Sequence, residues 1–222
     1  QGEPYQEGDT LRQPDLARTL SRIAEHGAAG FYKGETAYLI EQEMALNGGL
    51  ITSQDLTSYR ALRRTPISGT YRGYDLVAMP LISSGGTAVI QMLNILEGYD
   101  LAATGYGSAM TTHLIIEVMR RAYADRAQYL GDPQFNMNLP IERLTSKEYA
   151  EELRQTINLE QASVSSPDSF VWPSEGNETT HVSVVDQSRN AVSMTYTLEQ
   201  SYGSKITVPG AGFLLNNEMG DF

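Results

Sequence analysis

Hydroxyls, a histidine and carboxylates gather toward the end of this 222-residue chain. The run Thr179-Thr180-His181-Val182-Ser183-Val184-Val185-Asp186 is followed by Ala191-Val192-Ser193-Met194-Thr195-Tyr196-Thr197-Leu198-Glu199 and then by Leu214-Leu215-Asn216-Asn217-Glu218-Met219-Gly220-Asp221-Phe222. The first run alternates Thr-His-Ser-Val on one side with Thr-Val-Val-Asp on the other and is rich in β-branched residues, the pattern of a strand. A Thr hydroxyl is a weak nucleophile at neutral pH and needs a neighbouring group to take its proton. His181 lies two residues beyond Thr179 and projects to the same strand face, so a Thr-His couple stays open beside the plainer reading of a packed or hydrogen-bonded strand histidine. Taken alone, the run is a strand and no more. The ordered set carries the information: a second strand after the polar turn Gln187-Ser188-Arg189-Asn190, then a Gly/Pro-rich turn, then an amide- and acid-rich end.

Several other chemistries are excluded. His26, His113 and His181 are far apart and share no ligand spacing with acids or with one another, so no metal is expected. There is no Gly-x-Ser-x-Gly elbow for a serine hydrolase, and zero cysteines exclude disulfides and thiolate metal sites. A net charge of −11 argues against a nucleic-acid partner, which needs a basic face. No apolar run is long enough to span a bilayer, and no signal peptide is visible from Gln1 onward. The 41% hydrophobic content is ordinary for a globular chain with a substantial core. Asn177-Glu178-Thr179 fits the glycosylation pattern and is read as a chance match.

The three C-terminal segments, in this order, resemble the γ-glutamyltransferase family. The resemblance implies that the Glu178–Thr179 bond is cut by the protein itself, that Thr179 becomes a new N-terminus, and that its hydroxyl then attacks γ-glutamyl amides such as glutathione. The chemistry is coherent. A free α-amino group, with a reference pKa of roughly 7.7–8.0, suits a general base near neutrality, whereas in an uncut chain the same nitrogen is an amide. The resemblance further implies that Thr197 orients the nucleophile's oxygen, and that Glu199, where relatives carry Asn or Glu, lies near the substrate α-amino group. Glu218 and Asp221 match the positions that grip the same ammonium, and two carboxylates at one ammonium make charge-assisted hydrogen bonds. Gly220 departs from the Asp common at its position, but the family contact is made by the residue matching Asp221.

Upstream, Gly8-Asp9-Thr10-Leu11, Phe31-Tyr32-Lys33-Gly34, Asn47-Gly48-Gly49-Leu50-Ile51-Thr52, the run from Arg64 to Tyr74, Ser83-Ser84-Gly85-Gly86, Ala122-Tyr123-Ala124-Asp125-Arg126 and Tyr129-Leu130-Gly131-Asp132-Pro133 resemble the same family's large subunit. The resemblance implies that 1–178 is the back part of that subunit, with 161–178 a linker to the cleavage site, and that 179–222 opens the small, catalytic subunit. The two ends are expected to be cut points and not domain boundaries. The family's substrate-carboxylate Arg lies upstream of the matched residues, and its Ser-Ser pair and Gly-Gly oxyanion segment lie beyond Phe222. The remaining segments of both subunits are therefore expected partners, and these residues alone are expected to be inactive. The fold implied is α+β, part of the N-terminal-nucleophile hydrolase αββα sandwich, with the strands from Thr179 and Ala191 central. The expected small molecules are a γ-glutamyl substrate and water or an amine or dipeptide acceptor. No cofactor is needed, and a periplasmic or secreted location is implied. Two other readings stand beside this one: a related acylase or poly-γ-glutamate depolymerase, and a non-catalytic interaction fragment.

The elements that must position these residues follow from periodicity and caps. Helices are expected over Asp15–Glu25, Gly34–Leu46 and Asp55–Tyr59. Ile67 to Met79 reads as two strands turning at Arg72-Gly73. Ser83 and Ser84 are placed to cap a helix that ends near Gly98; without a phosphate-loop Lys they read as caps and not as an anion site. Ala109–Tyr129 is the longest expected helix, with Leu114, Ile115, Val118, Met119, Ala122 and Tyr123 as its core face. A further helix is expected from Thr145 to Gln155, capped by Thr145 or Ser146. Residues 161–178, rich in Ser, Pro and acids, read as a linker.

Overall fold

A computed structural model describes residues 4–164 and 179–218. Most of the expected linker, with Glu178, and Asp221 lie outside the described residues. In chain order the elements are α1 (Pro14–His26), α2 (Ala29–Tyr32), α3 (Gly34–Asn47), α4 (Ser53–Ser58), β1 (Ile67–Tyr71), β2 (Tyr74–Ala78), α5 (Gly85–Leu96), α6 (Leu101–Thr104), α7 (Ala109–Tyr129), α8 (Ile141–Leu144), α9 (Lys147–Arg154), β3 (Thr179–Val185) and β4 (Ala191–Thr197). The chain divides into two compact units, Gln1–Leu62 with Ser174–Asp221, and Arg63–Pro173.

In the first unit, Pro14 opens α1, where its missing N–H costs nothing. Gly48, in the left-handed region at φ 73°, closes α3. Thr52 and Asp55 form a reciprocal capping box at the start of α4. Ala37, Ile40 and Met44 of α3 and Leu56 of α4 form a core with Val208 and Ala211, residues of the return loop that follows β4. The buried Thr19 hydroxyl of α1 donates to the Ala211 carbonyl at 2.8 Å. Gly212 passes so close to α1 that an added Cβ would lie 2.4 Å from the Leu16 nitrogen. The return loop is thus seated on helices distant in sequence. It also closes on itself: Ser204 N–H donates to Leu215 O at 2.9 Å, Leu215 N–H to Ile206 O at 2.9 Å, and Val208 N–H to Phe213 O at 3.0 Å.

In the second unit, β1 and β2 pair antiparallel, turning through Arg72 and Gly73 at φ 50° and 84°. Helix α5 lies on this hairpin closely enough that a Cβ on Gly69 would fall 2.8 Å from Ile90. Ile95 of α5, Val118 of α7 and Ala150 of α9 form a second core. Ser108 and Ser146 cap α7 and α9 by accepting from Thr111 N–H and Tyr149 N–H.

Two expectations are corrected. Ser84 occupies the N-cap position of α5, but neither it nor Ser83 makes a side-chain capping bond, because Ser84 already has helical dihedrals. Leu114, Val118 and Ala122 are buried on α7, yet Ile115 and Met119 are about two-fifths exposed. The stripe that meets α5 is narrower than the apolar pattern, and Glu117 and Asp125 share the buried part of α7 instead. Among the described residues nothing covers β3 and β4, and nearly all of their residues are exposed. The described sheets are two separate hairpins. No described helix is long and apolar enough to cross a membrane, and no described cluster of His, Asp and Glu could hold a metal.

Candidate active site

The register of the β3–β4 hairpin is set by its turn. The Asp186 carboxylate accepts from the Asn190 backbone N–H and from its side-chain amide, each at 2.8 Å. These bonds hold the Asp186 acid below its ordinary range, and Arg189 takes the left-handed conformation at φ 65° that closes the turn. Counting back from this turn places Thr179 opposite Thr197, His181 opposite Thr195, and Ser183 opposite Ser193. One face of the hairpin is therefore a ladder of hydroxyls around a histidine. The other, with Val182, Val184, Val192, Met194 and Tyr196, is apolar and exposed.

On the polar face the Thr179 hydroxyl donates to the Thr197 hydroxyl oxygen at 3.3 Å. His181 is engaged further along: Nδ1 bonds Thr195 Oγ1 at 2.8 Å, and Nε2 lies 3.0 Å from Ser193 Oγ and 3.2 Å from Ser183 Oγ. With both ring nitrogens occupied there, the Thr-His couple left open by the sequence does not form. His181 is a hydrogen-bonded strand residue.

Beyond β4 the chain turns sharply at Glu199, at φ 73° in the left-handed region that a Glu rarely adopts. Its backbone N–H donates to Thr197 Oγ1 at 2.9 Å, so one hydroxyl oxygen links the Thr179 side chain to the turn that carries Glu199. The Glu199 carboxylate accepts a hydrogen bond from the Asn217 side-chain amide. Asn217 also donates its backbone N–H to Leu198 O at 3.1 Å and accepts from Gln200 N–H at 3.2 Å. Glu218 follows, partly buried, with its backbone N–H on Asn216 Oδ1 at 3.1 Å. The structure thus brings together Thr179, Thr197 and Glu199, with Glu218 next to the residue that holds Glu199. Glu178 and Asp221 are outside the described residues. Sequence reasoning gave Asn217 no role; the only signal was an amide pair beside an acid, which is also an ordinary turn composition.

Elsewhere, in the second unit, a shallow cavity of about 560 Å³ lies among Arg64, Ile67, Leu81, Pro133, Met137 and Ile141 and contains none of these residues.

The arrangement of helices with antiparallel hairpins, and a Thr at the head of a strand, is that of the N-terminal-nucleophile hydrolase class. Two solved structures share it: cephalosporin acylase from Bacillus halodurans, with a TM-score of 0.83 and 33% identity over 96% of this chain and 37% of that one, and γ-glutamyltranspeptidase from Helicobacter pylori, with a TM-score of 0.68 and 47% identity over 76% of this chain and 47% of that one. The family profile described as Gamma-glutamyltranspeptidase matches residues 1–222, and the chain belongs to the γ-glutamyltranspeptidase family. It is 49% identical over its whole length to the glutathione hydrolase proenzyme of Escherichia coli (strain K12), of which it spans 38%. It is 43% identical to the acylase ACY 1 proenzyme of Pseudomonas sp. (strain V22), of which it spans 39%.

Proposed function

We propose that these residues carry the nucleophile and the ammonium-binding part of an enzyme that hydrolyses or transfers γ-glutamyl groups from glutathione and related amides. The observation that carries the reading is the Thr197 hydroxyl, which accepts from Thr179 Oγ1 at 3.3 Å and from the Glu199 backbone at 2.9 Å. A nucleophile and a carboxylate for the substrate ammonium are thereby tied to one atom. The word proenzyme in the relatives' names fits processing of a precursor, and the reading places the cut at the Glu178–Thr179 bond. In that step the Thr179 hydroxyl attacks the Glu178 carbonyl, and water opens the resulting ester to leave Thr179 with a free amine.

In turnover the amine takes the proton from the hydroxyl as Oγ1 attacks the γ-carbonyl carbon. The C–N bond breaks, the proton passes to the leaving amine, and an ester on Thr179 remains. Water or an amine acceptor then attacks that ester and restores the hydroxyl. Thr197, as acceptor, keeps Oγ1 in one rotamer. The developing oxyanion needs preorganised donors. By the resemblance these come from the oxyanion segment beyond Phe222, so turnover requires the remaining segments of both subunits, 1–178 being the back of the large one and 179–222 the start of the small one. A periplasmic or secreted location belongs to the same reading.

The likeness to the acylases gives a second reading, a glutaryl-type acyl group without an ammonium. Glu199 and Glu218, both partly buried, favour the first, since carboxylates make charge-assisted hydrogen bonds to an ammonium that a glutaryl group does not carry. The test is turnover of γ-glutamyl and glutaryl p-nitroanilides by the whole protein and by T179A. The expected result is a preference for the γ-glutamyl compound and a loss in T179A of roughly a thousandfold or more. A glutaryl preference would establish the acylase reading, and unchanged turnover in T179A would overturn both.

A further inference from the structure

We propose that Asn217 is a positioning residue that fixes the Glu199 carboxylate for the substrate ammonium and so sets the preference for γ-glutamyl over glutaryl groups. The inference rests on the proposed function of this site. Asn217 bonds one turn in three places: its side-chain amide donates to the Glu199 carboxylate, its Oδ1 accepts from Gln200 N–H at 3.2 Å, and its backbone N–H donates to Leu198 O at 3.1 Å. The orientation of the amide is determined by these partners, because exchanging its O and N would face two acceptors and two donors against each other. Asn217 is itself held. Two residues earlier, Leu215 packs against the first-unit core and donates its N–H to Ile206 O at 2.9 Å.

Chemistry explains why an amide suits this position. A Glu side chain loses rotamer entropy when it is fixed, and fixing it before the substrate arrives removes that cost from binding. A Lys or Arg would also fix it but would cancel the charge meant for the ammonium. The Asn amide is a neutral donor, so the carboxylate is oriented and stays negative. The left-handed backbone at Glu199, φ 73°, is a conformation that other contacts must maintain, and Asn217 flanks it on either side, donating its N–H to Leu198 O and accepting from Gln200 N–H at Oδ1.

The experiment measures kcat and KM for the γ-glutamyl and glutaryl anilides in the self-cleaved whole protein, comparing wild type, N217D, E199Q and the double variant. N217D keeps the acceptor for Gln200 and the backbone bond to Leu198, removes the donor to Glu199 and adds a negative charge beside it. The expected result is a KM for the γ-glutamyl substrate raised roughly tenfold or more with kcat little changed, no change for the glutaryl substrate, and no further rise when N217D is added to E199Q. N217A removes the donor without an added charge, together with the acceptor for Gln200, and replaces N217D should that variant fail to fold. Equal losses on both substrates, or losses additive with E199Q, would show a merely structural residue and overturn the inference. An unchanged γ-glutamyl KM in E199Q would also overturn it while leaving Thr179-dependent turnover intact. Turnover that survives T179A is the distinct failure of the proposed function itself.

Discussion

The β1–β2 and β3–β4 hairpins are both short antiparallel pairs, but only the first is covered. Ile90 of α5, fully buried, sits against Gly69 of β1, where an added Cβ would fall 2.8 Å away. On β3–β4 every residue but Thr197 is exposed, and pairing is specified by a turn and by polar cross-strand couples: Thr179 with Thr197, and His181 with Thr195. Such couples contribute about 0.2–1 kcal/mol each, and an isolated hairpin is marginal in water. The difference teaches that register and burial are separable. The hairpin that carries the candidate nucleophile has its register set by its turn, while its anchorage comes from one end, where Val208 and Ala211 of the return loop enter the helical core.

The contrast can be sharpened first away from the site. Glu117 of α7 is buried without solvent contact and accepts from Arg121 Nη1 at 2.8 Å and from the Ser163 backbone N–H at 2.8 Å. Burial alone would raise its pKa, but the bonds from Ser163 and Arg121 outweigh it and bring the carboxyl down to about 2. E117A leaves Arg121, 12% exposed, without its carboxylate partner, so urea denaturation at neutral pH should show a loss of about 3 kcal/mol. A folded pKa below the unfolded value, roughly 4.3, means that this stabilisation is complete above the unfolded value and is lost as pH falls through about 2. The gap between wild type and E117Q should therefore narrow over that window.

The hairpins themselves give the next test. I90A removes a fully buried side chain against β1 and should cost about 2–5 kcal/mol. M194A, on a side chain 54% exposed on β4, should change the stability of this chain by about 0.5 kcal/mol or less. Equal losses in thermal melts would erase the distinction between covered and uncovered hairpins. A smaller effect is expected from T197V, which keeps the shape and removes the hydroxyl: kcat for the γ-glutamyl anilide should fall roughly tenfold with little change in melting temperature.

Much of this architecture was legible in the sequence where a local rule acts alone. The apolar period from Leu114 predicts α7 over the bounds it adopts, Ala109–Tyr129, and the Arg72-Gly73 turn predicts the β1–β2 hairpin. The short helices α2, α6 and α8 escaped because four residues carry no period. The burial of Glu117 escaped for another reason: it depends on Arg121 and Ser163 arriving together, and Ser163 is distant in sequence. At the site, alternation puts Thr179 and His181 on one face, but only the turn at Asp186 and Asn190 decides that Thr179 meets Thr197 and His181 meets Thr195. Asn217 was not legible, because its role exists only once the return loop brings it back to Glu199.

The central claim is that Thr179, paired to Thr197, is the nucleophile freed by cutting the bond before it. The most direct measurement is the intact mass and N-terminal sequence of the whole protein held at neutral pH, beside T179A. The account predicts two species in the wild type that sum to one chain plus water, a new N-terminus at Thr179, and an uncut T179A. A wild-type chain that stays uncut yet hydrolyses γ-glutamyl anilide, or one cut at another bond, would contradict it.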